Sequence, residues 1–141
     1  MAYITLDDLV ARYGEAEMVD IADRDRDGVP DPDVLAAVIG DAERDIDAQL
    51  GGRYQVPLAS VPDLVKRLAC QLARYYLHRV QPPEWVRSGY SDAMRQLGEI
   101  RDGRVSLDGV APAPAPVQAS AGRVAGVSEP RVFTPSNLRG F

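Results

Sequence analysis

Residues 41–58, DAERDIDAQLGGRYQVPL, decide how this chain folds. Residues 41–50 have the pattern of the end of an acidic amphipathic helix, and Gly51-Gly52 stops that helix because glycine is a poor helix former. Residues 53–58 then form an Arg-Tyr-x-x-Pro-Leu turn that leads into a second helix near Ser60. None of these features requires a catalytic group. The segment is therefore predicted to hold two helices at a fixed angle, with the tyrosine packed between helices and the arginine reaching an acid on the preceding helix.

Apolar residues recur at helical spacing on both sides of this turn. Thr5 to Asp8 has the form of a capping box and begins a short helix that Gly14 ends, with a further helical turn expected around residues 15–21. Three longer helices follow, the last capped by Gly103. The sequence predicts an all-α fold, a compact bundle of about four helices (one short N-terminal, three longer) with an extended C-terminal arm. The apolar positions of the longer helices are Leu35, Val38, Ile39, Ala42, Ile46 and Leu50; Leu64, Val65, Leu68, Ala69, Leu72, Ala73, Tyr75, Tyr76 and Leu77; and Val86, Tyr90, Met94, Leu97 and Ile100.

Composition limits the class of protein. A chain of 141 residues with 45% apolar content is long enough for one domain with a modest core, and only 6% aromatic content favours helices filled by aliphatic residues. The single cysteine excludes an intrachain disulfide. The N-terminus lacks the basic and apolar regions of a signal peptide, and no stretch has the roughly 18 apolar residues of a membrane span. We expect a soluble protein made in the cytoplasm, with no membrane partner.

The charge is unevenly distributed along the chain. Residues 1–103 carry 19 acidic and 12 basic residues, for a net charge of −7, whereas residues 104–141 carry 2 acidic and 4 basic residues, for a net charge of +2. An acidic body argues against a surface that binds duplex DNA, which needs clustered Lys and Arg. A weakly basic tail suits docking to an acidic protein partner.

The composition divides the chain into three parts: a helical domain at residues 1–107, a linker rich in Pro, Ala and Gly at 108–128, and a docking arm at 129–141. The Ala-Pro repeat of the linker cannot continue a helix. Apolar residues return in the arm, where they are expected to act as anchors that a neighbour or partner captures. The predicted binding residues of the arm are Arg131, Phe133, Leu138, Arg139 and Phe141.

The segment Asp23-Arg-Asp25-Arg-Asp27-Gly28-Val-Pro-Asp31 is the sharpest candidate site. Oxygen ligands at positions 1, 3, 5 and 9, with glycine at position 6, match the opening of a calcium-binding loop. Position 12 should be a bidentate glutamate but is Val34, which should lower the affinity sharply. The alternative is a solvated acidic turn in which Asp31 or Asp33 caps the next helix. No cofactor is required in that case.

Other features carry weaker signals. Trp85, at a helix start, either covers a helix junction or anchors an interface. Cys70 and His78 are eight residues apart on one helix, about 12 Å along its axis, which is too far for a catalytic pair. We expect Cys70 to be packed and His78 to end the helix. No phosphate-binding loop, nucleophile elbow or His-Glu-x-x-His motif is present, so we expect no enzyme activity.

Several of these segments together resemble the small head–tail adaptor proteins of Mu-like tailed phages and prophages. The matching pieces are Ala-x-x-x-Ile-Asp at residues 42–47, Arg53-Tyr54, Pro57-Leu58 and the Leu-, Ala- and Tyr-rich helix at 64–77. Tyr90-x-x-Ala-Met-x-x-Leu97 and the Gly-Arg-Val-Ser-Leu run at residues 103–107 extend the resemblance, which covers residues 3 to about 107.

This resemblance implies a structural role. Such an adaptor binds beneath the portal protein as a ring, typically of twelve copies, and joins the filled head to the tail around a channel through which DNA only passes. The implied partners are the portal protein, neighbouring adaptor subunits and the next tail-side connector or tail terminator protein, and the implied location is the head–tail junction of the virion. The rival functions are a calcium-dependent interaction module centred on Asp23–Asp33, a small enzyme and a helix-turn-helix regulator. The last lacks a basic helix face.

Overall fold

The computed structural model describes residues 2–115 and contains an all-α bundle, which confirms the predicted fold class. The turn expected around residues 15–21 is a second short helix, and three longer helices follow as predicted. Apart from one isolated bridge, residues 2–115 contain no β-structure. The helices are α1 (Leu6–Tyr13), α2 (Glu15–Ala22), α3 (Pro32–Leu50), α4 (Asp63–Leu77) and α5 (Glu84–Arg101).

The core forms around α4, which packs against α1, α3 and α5. Side chains from this helix are fully buried at spacings of three and four, as an inward-facing helix requires. The apolar positions predicted for α3 and α5 supply most of the opposite walls. The buried residues of the three long helices are Leu35, Val38, Ala42, Ile46 and Leu50; Val65, Leu68, Ala69, Cys70, Leu72, Ala73 and Leu77; and Val86, Ala93, Leu97 and Ile100.

Hydrogen bonds between residues close in sequence cap the start of α1 and the end of α5. The Thr5 capping box is present, since Asp8 N–H donates to Thr5 Oγ1 over 3.4 Å and Thr5 N–H donates to Asp8 Oδ2 over 2.9 Å. At the end of α5, Gly103 adopts φ +83° and donates to the Ile100 carbonyl over 3.1 Å. The next N–H, of Arg104, donates to the Glu99 carbonyl over 2.8 Å, which completes a Schellman cap.

Two tyrosine hydroxyls fasten the turn between α3 and α4. The buried Tyr3 accepts a hydrogen bond from Leu58 N–H over 2.8 Å and donates one to Asp47 on α3. The buried Tyr54 accepts one from Leu107 N–H over 2.9 Å. The turn is thus attached to the N-terminal segment, to α3 and to the segment after α5, and it includes a cis peptide bond between Val56 and Pro57.

The prediction that Arg53 pairs with an acidic residue on the preceding helix is wrong. The ion pairs formed within residues 2–115 do not include Arg53. Its guanidinium instead lies beside Gly103, where a Cβ atom would come within 2.1 Å of Arg53 Nη1. The reason is that the turn faces the end of α5 rather than the acidic side of α3.

The first residues of the predicted linker run alongside the same turn. Gln55 N–H donates to the Ala111 carbonyl over 3.0 Å, and Ala113 N–H donates to the Arg53 carbonyl over 2.9 Å. The two segments form an antiparallel bridge between Tyr54 and Pro112. The chain therefore leaves the bundle beside the α3–α4 turn. The predicted docking arm at residues 129–141 lies outside the described residues.

Candidate functional site

The acidic loop between α2 and α3 brings together the four carboxylates predicted as calcium ligands. Asp23, Asp25, Asp27 and Asp31 each place one carboxylate oxygen within 4.8 Å of the others. The loop reverses direction through two residues with left-handed backbone, Arg26 at φ +62° and Gly28 at φ +88°. Glycine suits the second of these because it has no Cβ to clash.

Backbone N–H groups organise the carboxylates. Asp23 Oδ1 accepts from Arg26 N–H over 2.7 Å and from Asp27 N–H over 3.2 Å, while its Oδ2 accepts from Gly28 N–H over 2.7 Å. Asp31 Oδ2 accepts from Arg24 N–H over 2.9 Å. These hydrogen bonds draw the loop backbone around Asp23 and hold the Asp23 and Asp31 carboxylates in place.

The same bonds separate the pKa values of two neighbouring carboxyls. Desolvation raises the pKa of Asp23, but the Gly28 N–H, the hydrogen bond with the Asp25 carboxyl and the N–H donors of Arg26 and Asp27 outweigh it, so the net pKa is lowered. For Asp25, the Asp27 N–H lowers the pKa, yet the hydrogen bond with the Asp23 carboxyl and the nearby carboxylates raise it on balance. A divalent cation would relieve this crowding of like charge.

The twelfth position of the loop does not supply a ligand. Val34 lies in the first turn of α3, and Asp33 beside it is exposed and outside the carboxylate cluster. The alternative that Asp31 caps α3 is confirmed in position, since Asp31 is the N-cap residue, but its carboxylate accepts from Arg24 N–H and makes no hydrogen bond to the first turn of the helix. The site therefore offers four carboxylates without the bidentate glutamate of the twelfth position, a ligand set suited to a weakly held, partly hydrated cation.

Trp85 lies in the first turn of α5 with 67% of its surface exposed. It borders a shallow depression shared with Ala16, Glu17 and Ile21 from α2 and with His78 after α4. A tryptophan this exposed is uncommon in a monomer, and tryptophan is enriched at the centres of interfaces.

Cys70 and His78 lie apart. Cys70 is fully buried, and desolvation raises the pKa of its thiol to about 11. His78 ends α4, and its Nδ1 lies 2.8 Å from the Arg74 carbonyl.

An apolar groove was missed by the sequence analysis. It has a volume of about 590 Å³ and lies between the N-terminal segment, the acidic loop and α3. Ile4, Leu6 and Val29 form part of its lining, together with Leu35 and Ile39, and Glu43 is its single charged residue. The signal in the sequence was the apolar Val29-Pro30 pair inside an otherwise acidic loop. Leu35 and Ile39 were predicted to be core residues, and only the first is buried.

The predicted binding residues of the C-terminal arm, Arg131, Phe133, Leu138, Arg139 and Phe141, lie outside the described residues. Of the helices within residues 2–115, none is long and apolar enough to cross a membrane.

The fold and the loop together define a small all-α bundle protein with an oxygen-rich acidic loop between its second and third helices. The chain belongs to the family described as Bacteriophage Mu, Gp36, whose model matches residues 3–126. It is 41% identical over 106 residues to gene product J of Escherichia phage Mu, covering 74% of each chain. It is 32% identical over 105 residues to the Mu-like prophage FluMu protein gp36 of Haemophilus influenzae, again covering 74% of each chain. The resemblance to proteins of Mu-like phages is thereby confirmed at the level of the family.

Proposed function

We propose that this protein is a structural head–tail adaptor: a ring of subunits beneath the portal protein that joins the head to the tail and leaves a channel for DNA. Membership of a Mu phage family supports a role in phage morphogenesis. The observation that carries the proposal is the way the adaptor-like segment is built into the fold, since Tyr54 and Leu58 are buried while Arg53 and Pro57 beside them stay exposed. Tyr3, Tyr54 and the segment after α5 fasten them in place.

The surface of α3 suits a subunit of such a channel. Asp41 on this helix is exposed, and Asp45 and Asp47 are partly exposed, against one nearby base, Arg44. A wall of like charge repels a passing duplex and keeps it from sticking. On this proposal the partners are the portal protein, neighbouring subunits (twelve in a typical connector) and the next tail-side protein, the protein is part of the virion, and its role is structural rather than catalytic.

The proposal is tested by electron microscopy of the full chain mixed with its cognate portal protein. We expect a ring that caps the portal. A truncation after Ser128 removes the predicted docking arm and is expected to abolish or weaken capping, because multivalent capture by the arms is lost. The truncated chain should keep its helical circular dichroism spectrum, as the control for folding. If neither version binds the portal, the adaptor proposal fails.

A second candidate function is a calcium-dependent interaction module, favoured by the four carboxylate oxygens within 4.8 Å of one another. Because position 12 lacks a glutamate, we expect weak binding, with a Kd of about 10⁻⁴–10⁻³ M. Binding should weaken as the pH falls, since the pKa of Asp25 is raised and protons compete with the cation.

Isothermal titration calorimetry of the full chain with calcium measures the Kd. The variant Asp25→Asn is expected to lose binding, whereas the matched control Asp33→Asn, an exposed acid outside the cluster, should keep it. Loss of assembly on chelation would extend the result to function. Absence of saturable binding at about 10 mM calcium, well above the weakest Kd expected for such loops, rules the module out.

A further inference from the structure

We propose that Trp85 of one copy inserts into the apolar groove of a second copy, so that copies of this chain join head to tail. This contact rests on the proposed function, because it would link neighbouring subunits of the adaptor ring. The groove is the surface lined by Ile4, Leu6, Val29, Leu35, Ile39 and Glu43.

The chemistry of the two surfaces is matched. An indole ring presents a large apolar body and a single N–H donor that needs an acceptor when buried. The groove presents apolar walls and one charged residue, the partly buried Glu43. Its carboxylate accepts a hydrogen bond from Tyr3 N–H and has further lone pairs for an indole N–H. Its volume of about 590 Å³ accommodates an indole together with part of the preceding turn. A buried tryptophan removes about 150–250 Å² from water, which makes it the kind of anchor that dominates an interface.

The groove is open to such an anchor. Ile4 and Leu35 form its floor and are only 1% and 5% exposed, whereas Val29 on its rim is 58% exposed. Floor residues at this burial make the site part of the folded bundle, so a partner does not have to reorganise it. An exposed valine beside buried leucine and isoleucine leaves apolar surface that a second apolar group would cover.

The two surfaces are distinct, which determines the symmetry of the contact. The residues around Trp85 come from the end of α1, from α2 and α4, and from the start of α5, and none of them lines the groove. A contact between different surfaces of identical chains is heterologous, and it builds a ring when the rotation between successive copies closes.

The charge distribution favours the same pairing. Residues 2–50, which hold the groove, carry 14 acidic and 4 basic residues, for a net charge of −10. Residues 51–115, which hold Trp85, carry 6 acidic and 9 basic residues, for a net charge of +3. Residues of α2 also border Trp85, but Glu17 there is paired with Arg74, and Glu84 beside the tryptophan is paired with Arg87. A head-to-tail contact therefore sets the acidic groove against a surface whose acids are largely paired, whereas a symmetric contact through the groove would bring two acidic surfaces together.

Methyl NMR of the full chain tests this contact directly. The isoleucines of the chain are Ile4 and Ile39 at the groove, Ile21 beside Trp85, and the buried Ile46 and Ile100. We expect the methyl signals of the groove pair and of Ile21 to shift as the protein is concentrated from about 10 μM to about 1 mM, as a contact with a Kd of about 0.01–1 mM requires. The signals of the two core isoleucines should stay in place and serve as internal controls.

Variants identify the anchor and the groove. Trp85→Ala should remove the concentration dependence at Ile4 and Ile39, while Val80→Ala, at an 81% exposed apolar residue nearby, should preserve it. Ala36→Glu adds a charge to an exposed position on the groove wall and should also remove the dependence. Because Trp85 is the sole tryptophan, its fluorescence emission should move to the blue over the same concentration range.

The contact is overturned if Ile4 and Ile39 do not respond to concentration, as they would not if the groove were filled by the arm of its own chain. It is equally overturned if the response survives Trp85→Ala, or if Ile46 and Ile100 shift as well. The experiment uses the protein alone. A chain that fails here yet caps the portal overturns this contact and leaves the adaptor proposal intact.

Discussion

Replacing Tyr3 with alanine is expected to lower the free energy of unfolding by about 3–5 kcal/mol, in the range of large aromatic truncations in cores. The ring is 3% exposed and its hydroxyl bridges Leu58 N–H and the Asp47 carboxylate. Removal of the ring therefore opens a cavity and leaves the Leu58 N–H buried without an acceptor. Urea denaturation followed by circular dichroism measures the change.

Tyr3→Phe separates the hydroxyl from the ring. We expect a loss of about 1–3 kcal/mol, the cost of leaving the Leu58 N–H unsatisfied. Tyr75→Phe is the matched control, since Tyr75 is partly exposed and stacks on Tyr90 through its ring, so its substitution should change stability little. Equal effects of the two substitutions would show that the Tyr3 hydroxyl does not fasten the turn.

The difference between wild type and Tyr3→Phe should also depend on pH. Desolvation, followed by the hydrogen bond to Asp47, raises the pKa of Tyr3 from 10.0 to about 12. A pKa that is higher in the folded state than in the unfolded state stabilises the fold fully below about pH 10, and the stabilisation is lost as the pH rises towards 12. The stability gap between the two proteins should therefore narrow over that range.

Leu68→Ala is expected to lower the free energy of unfolding by about 2–5 kcal/mol. Leu68 is fully buried in the middle of α4, the helix that packs against α1, α3 and α5. The cavity would therefore lie where helices on several sides keep neighbouring side chains from moving to fill it. The same substitution one turn earlier, Leu64→Ala, removes a partly buried side chain and should lower the free energy of unfolding clearly less. If the two variants lose equal stability in urea denaturation, the packing around Leu68 is no tighter than that around Leu64 and the expectation for this part of the core is wrong.

Much of this fold could be predicted because it is encoded in short windows of sequence. Apolar spacing of three and four located α3, α4 and α5, the Thr5 capping box began α1, and Gly103 ended α5. These signals are local, since a helix face and its caps involve residues within four positions of each other. The acidic loop was predictable for the same reason, as the spacing of its aspartates alone brings the carboxylates together.

Contacts between distant residues could not be predicted in this way. Arg53 was assigned an acidic partner on the preceding helix, yet it lies beside Gly103, because the direction of the turn depends on how α5 packs. The groove was missed since its lining comes from three separate segments, and the periodicity of α3 alone marks Ile39 as a core residue.

The sequence by itself determined that the chain is all-α, where its long helices begin and end, and that an acidic loop precedes α3. Only the tertiary structure decided that Tyr3 reaches Leu58 across 55 positions, that residues 111–113 lie along the α3–α4 turn, and that Trp85 is exposed while an apolar groove stands open elsewhere. The physical reason is how far apart along the chain the interacting residues are. Helix formation follows from neighbours along the chain, whereas surfaces and long-range hydrogen bonds depend on the positions of helices relative to one another, which are set only when the whole core packs.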